Sequence, residues 1–199
     1  MTATFLLIRH AAHVHLDRRL SGRMHGVALS GEGHAQAAAL GRGLRGERID
    51  RIACSPLERT RDTAAAIAEA CGLAAPIPVG ALIEIDMGDW TGAAFGTLAG
   101  PAWDDWNGSR GTARIPDGET MAEAQARIAG YMHAVAAAED GAVIALVTHS
   151  DMIRAAVADA IGLPLDNLLR FDVAPASVSR VVLGDWGARL LSLNERVAA

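Results

Sequence analysis

A chain of 199 residues that is 51% hydrophobic, with a mean hydropathy of +0.20, has the composition of one compact domain, not of a disordered or fibrous chain. Its formal net charge of −5 gives no support to nucleic-acid binding, which usually shows a strongly basic face. No run nears the roughly 18 apolar residues of a membrane span, and Met1-Thr2-Ala3-Thr4 lacks the basic start of a signal peptide.

In chain order, Phe5-Leu6-Leu7-Ile8 is an unbroken apolar run and reads as a strand buried on both faces, leaving into Arg9-His10. After Val27-Ala28-Leu29-Ser30, the spacing of Ala37, Leu40 and Leu44 predicts an amphipathic helix with Gln36 and Arg42 outside. Ile49 to Cys54 reads as a second strand. Ser55 with Glu58 makes a capping box and Pro56 takes the first helical position, so a helix is predicted there, ending at Gly72. Residues 92–116 read as irregular and long enough for a functional loop. Thr120 and Glu123 form a second capping box, opening a helix with Met121, Ala124, Ile128, Met132 and Val135 on one face. Val143 to Thr148 is another buried strand, followed by His149-Ser150 and a helix that stops at Gly162-Leu163-Pro164. Ser177 to Leu183 and Arg189 to Leu193 predict a hairpin about a Gly-Asp-Trp-Gly turn. With no linker and no repeat, residues 1–199 read as one α/β domain of three layers, a mostly parallel sheet with helices on both faces. Cys54 and Cys71 form no metal pattern and are expected to be reduced and mostly buried, as in a cytoplasmic protein.

The chemistry gathers at strand ends, where open α/β sheets bind ligands. A histidine nucleophile needs a bare ring nitrogen, and cations to hold the oxygens of the group it attacks. Arg9 supplies a planar fork for two oxygens and keeps His10 neutral. Arg59, one turn into the Ser55 helix, sits where a helix start favours an anion. A zinc reading of His10, His13 and His15 lacks a fourth ligand and a second shell, so no metal is expected. Arg18, Arg19 and Arg23 read as a solvated charge run, with a second acidic group on the substrate as their alternative partner. Trp90, Trp103 and Trp106 with Phe95 read as packing of the irregular segment onto the domain, with pocket lining as the alternative.

These motifs carry a resemblance. Leu7 to His10, Cys54 to Ala64 and Val147 to Ser150 stand in the order seen in the histidine phosphatase superfamily, in the branch with phosphoglycerate mutases and fructose-2,6-bisphosphatases. Leu29 to Ala37, Leu82 to Gly92 and Pro116 to Thr120 resemble its intermediate segments, over roughly residues 4–155. The resemblance implies His10 as the phosphorylated nucleophile, with Arg9, Arg59 and His149 binding the phosphoryl group and Glu84 as general acid. It places Ser21, Gly22 and Ser150 at substrate-contacting backbone. Ala11 departs from the family's glycine, and Leu16 from its asparagine. The implied function is a metal-independent, cofactor-free phosphomonoesterase acting on a small phosphorylated metabolite. Two alternatives stand: a phosphoglycerate mutase, and a silent phosphate-ligand sensor motivated by Ala11. The short 92–116 stretch and a tail stopping soon after Leu193 favour hydrolysis over mutase action, and the intact site set argues against the sensor. A small-molecule partner is expected, with no nucleic acid and no membrane; homodimer formation is left open.

Overall fold

The computed structural model describes residues 1–196. β1 (Thr2–Arg9) lies near the middle of a six-stranded sheet with β4 (Ala142–Thr148) parallel on one side. Beyond β4 come β2 (Arg51–Cys54) and the two-residue β3 (Ile77–Pro78), both parallel to it. On β1's other side the hairpin of β5 (Ser177–Gly184) and β6 (Gly187–Arg196) adds an antiparallel edge.

The apolar runs face both ways because a strand alternates its side chains. Phe5 and Leu7 enter one core with Ile144 and Leu146, covered by α4 (Met121–Ala138) and α5 (Ser150–Ile161). Leu6 and Ile8 enter the opposite core with Ala145 and Val147, covered by α1 (Gly31–Gly43) and α2 (Glu58–Cys71). Helices therefore cover both faces of a mostly parallel sheet. The register pairs Arg9 with Thr148, so His10 and His149 leave neighbouring strand ends side by side.

Several local signals act as predicted. Ser30 caps α1, Thr120 and Glu123 complete the capping box of α4, and Gly72 and Gly162 close α2 and α5 in the left-handed conformation. Cys54 and Cys71 are free thiols, the first buried and the second half-buried.

Three expectations need correction. Ser55 does not cap α2: the helix begins at Glu58, its N-cap is Leu57, and no side chain caps it. Within 92–116, Pro101–Gly108 forms a further helix, α3, with proline in its first turn. Pro101 at the first position is its start signal in the sequence. The second strand is shorter than Ile49–Cys54, and β6 is longer than Arg189–Leu193.

One contact ties the fold to the site. Ser30 N and Oγ donate to Ala12 O at 2.9 and 3.2 Å, while Ala12 N donates to Gln36 Oε1 at 2.9 Å. Helix α1 thus grips the backbone two residues past His10. A Cβ on Gly33 would lie 1.8 Å from Ala12 O, a backbone atom with nowhere to go. Gly33→Ala, which in an open helix would stabilise by about 1 kcal/mol, is expected to destabilise by about 1–3 kcal/mol. Urea unfolding gives the sign, and a stabilised variant would refute the contact.

Candidate active site

The strand ends open into a cavity of about 340 Å³. Its walls include Arg9, His10, Ser21, Gly22, Arg59, Glu84 and Ser150, seven of the eight residues that the sequence reading placed at the site. His149 is the exception: it is fully buried, its ring standing 5.2 Å from that of His10, behind the wall.

His10 is 3% exposed. Its Nδ1 lies 2.8 Å from Ala11 O, and a carbonyl can only accept, so Nδ1 carries the ring proton. Nε2 is left bare. The peptide that holds this ring is itself held, since Ala11 N donates to Thr63 Oγ1 at 3.0 Å. Burial, then the guanidiniums of Arg59 and Arg9, push the His10 pKa well below the ordinary imidazole value. A neutral ring with one bare nitrogen is a nucleophile at neutral pH.

Arg59, 1% exposed, reaches in from the first turn of α2 and donates through Nη2 to Gly22 O at 2.7 Å. Gly22 takes a φ of +46°, and a Cβ there would press on Met87 and Thr91 at 3.2 Å. Arg9 donates to Val173 O at 2.6 Å. Among the described residues, Arg9 Nε and Arg59 Nε and Nη1 are buried without a partner. Buried guanidinium donors left unpaired are costly, and an anion in the cavity would satisfy them.

His149 supports the site from behind. Arg59 Nη2 approaches its Nδ1 at 3.3 Å, and guanidinium only donates, so Nε2–H donates to Ser55 Oγ at 2.9 Å. This bond replaces the missing cap: Ser55 turns to a histidine 94 positions away. Burial, followed by Arg59 and His10, keeps His149 neutral. As the N-cap of α5, His149 also brings that helix's positive end to the cavity, with Ser150 on the wall.

Glu84 sits on an irregular segment that a network clamps in place. Arg127 of α4 donates to Ala81 O and Ile83 O at 2.9 and 2.8 Å, and Arg23 Nε to Glu84 O at 2.9 Å. Glu119 bridges the two arginines at 2.8 and 2.9 Å and accepts Asp86 N at 3.0 Å. Thr148 Oγ1 adds a bond to Leu82 O at 2.6 Å. Arg23 is therefore not part of a solvated charge run, whereas Arg18 is exposed and Arg19, also exposed, reaches the cavity wall. Sequence reasoning missed Arg127, Glu119, Thr63 and Ser55 as supports. Ser55, Thr63 and Glu119 lie within the family-like segments without a part marked for them, and Arg127 is a charge near the apolar stripe of α4.

The Glu84 carboxyl is raised to about 7, by burial first and by Asp151 second, against the pull of Arg59. Its Oε1 accepts Ile85 N at 3.0 Å and its Oε2 lies 3.7 Å from His149 Nδ1. Such a group exchanges protons near neutrality. The aromatic residues play both parts weighed for them. Trp106 is buried and Trp90 and Trp103 meet edge to face at 5.1 Å, yet Trp103, Trp106 and Phe95 also line the cavity. Among the described residues, no three His, Cys, Asp or Glu side chains are grouped to hold a metal ion, and no helix is long and apolar enough to cross a membrane.

A family model described as the histidine phosphatase superfamily (branch 1) matches residues 5–196. The chain belongs to that superfamily. As a histidine phosphatase it is an enzyme of phosphatase type, and its relatives bear this out. Phosphoserine phosphatase 1 of Hydrogenobacter thermophilus is 30% identical over 195 residues, covering 95% of this chain and 90% of its own length. A probable phosphoglycerate mutase GpmB of Yersinia enterocolitica is 31% identical, covering 88% and 82%. Among solved histidine phosphatase folds, a mycobacterial glucosyl-3-phosphoglycerate phosphatase superposes with a TM-score of 0.85 at 25% identity over 98% of this chain and 99% of its own. The α-ribazole phosphatase of Shigella flexneri matches with the same TM-score and identity, over 98% of each chain.

Proposed function

We propose that this histidine phosphatase hydrolyses a small phosphomonoester through a phosphohistidine on His10, without a metal. One observation carries the reading: the bare Nε2 of His10 stands in a cavity beside buried donors, Arg9 Nε and Arg59 Nε and Nη1, that have no partner among the described residues. Nε2 attacks phosphorus in line with the ester oxygen, the P–O bond breaks, and Glu84 gives its proton to the departing alkoxide. Charge on the equatorial oxygens is met by Arg9, Arg59 and the start of α5, with His149 holding Arg59 and the His10 ring in place. Water then attacks phosphorus while Glu84 takes its proton, releasing phosphate and restoring neutral His10. The arginines supply the positive charge that a magnesium ion provides in other phosphoryl-transfer sites.

A panel of small phosphomonoesters assayed with a chelator present tests this. Phosphate release is expected to survive chelation and to be inhibited by vanadate, which mimics five-coordinate phosphorus. Activity lost on chelation and restored by zinc would overturn the metal-free reading. The likeness to a probable phosphoglycerate mutase motivates a second arm. With 3-phosphoglycerate and a catalytic amount of 2,3-bisphosphoglycerate, phosphate release is expected to outpace formation of 2-phosphoglycerate; the reverse order would make the enzyme a mutase.

A further inference from the structure

His13 is a wall residue of the cavity to which the mechanism above gives no part. Its position is fixed by the backbone: residue 13 pairs with Leu29 in an isolated bridge, and Val14 N donates to Ala28 O at 3.2 Å. The ring is 9% exposed and stands 5.2 Å from the ring of His10, tilted by 51°.

What separates the two imidazoles is the side on which each carries its proton. His10 Nδ1 faces a carbonyl, an acceptor, so that nitrogen is protonated and Nε2 is bare. His13 Nδ1 faces the backbone N–H of His15 at 3.2 Å, a donor, so that nitrogen must be the bare one. A neutral imidazole has a single N–H, and in His13 it therefore sits on Nε2. Backbone groups thus lock neighbouring rings into opposite tautomers.

We propose that His13 is an uncharged ligand of the phosphoryl group, donating from Nε2–H to an oxygen of the phosphorus that His10 attacks. The assignment rests on the phosphatase reading of this cavity. Burial, with Arg59, Arg9 and His15 nearby, lowers the His13 pKa to about 4, so the ring stays a neutral donor at working pH. The same tautomer makes His13 unfit for two other roles. It has no bare nitrogen toward the phosphorus with which to compete as nucleophile. Its one lone pair is engaged by His15 N–H, so it is not free to bind a metal alongside His10.

The test compares wild type, His13→Phe and His13→Gln, reading the vanadate inhibition constant and kcat/KM with p-nitrophenyl phosphate. Phenylalanine keeps a ring and removes the donor; glutamine restores an N–H without charge. Loss of one hydrogen bond to an anionic oxygen is worth about 10- to 100-fold. His13→Phe is expected to lose that factor in both readouts, and His13→Gln to recover to within about fivefold of wild type. If His13→Phe does not fold, as thermal unfolding would show, His13→Leu carries the same comparison. Wild-type vanadate affinity in the donor-free variant overturns the proposal, as does a glutamine variant no better than phenylalanine. A wild-type enzyme that vanadate does not inhibit overturns instead the phosphohistidine reading beneath it.

Discussion

Replacing His10 by alanine is expected to lower turnover by about 10⁴- to 10⁶-fold, the range seen when a covalent nucleophile is removed from an intact site. The geometry gives little room for a substitute. His149 is sealed behind the wall with its Nε2 engaged by Ser55, and His13 has its Nδ1 engaged by His15 N–H. Rapid quenching of wild type with labelled substrate should yield a phosphoprotein stable to base and labile to acid, as a phosphoramidate is. His10→Ala should show neither label nor turnover while keeping the wild-type fold, since the loop is held by Thr63 and Gln36 through backbone atoms of Ala11 and Ala12. A label that persists in the variant would move the nucleophile elsewhere.

The second large effect belongs to Glu84. As proton donor it matters most when the leaving oxygen is a strongly basic alkoxide and hardly at all for nitrophenolate. Glu84→Gln is therefore expected to cost about 100- to 10,000-fold on alkyl phosphates. With p-nitrophenyl phosphate the variant should still release one rapid equivalent of nitrophenolate, then stall, because the water step has lost its base. The pH profile follows from the raised carboxyl at about 7. Only the protonated acid donates, so kcat/KM for an alkyl phosphate should be full below that value and fall about tenfold per unit above it. The glutamine variant should lack this descending limb. His10, held below the usual imidazole range, adds no ascending limb near pH 6.5. Equal losses in kcat/KM on both leaving groups, with no rapid equivalent of nitrophenolate, would show that Glu84 holds the site together without donating a proton. Asp86 and Asp89 would then be the next to test.

How much of this was legible follows the range of the forces involved. Apolar runs, capping residues and terminal glycines act within a few positions, so the strands ending at His10 and His149, the Thr120 box and the stops at Gly72 and Gly162 could be read from the chain itself. The family motifs, met in order, marked Arg9, His10, Arg59 and Glu84 as candidates. Side-chain partners far apart in sequence were beyond such reading. Ser55 looked like a cap and instead receives a hydrogen bond from His149; Arg23 looked solvated and instead clamps the segment bearing Glu84. The sequence by itself determined the sheet, the strand ends and the residue types brought to them. Tertiary structure alone decided the protonation of Glu84 and the opposite tautomers of His10 and His13, because burial and hydrogen-bond partners exist only once distant segments meet.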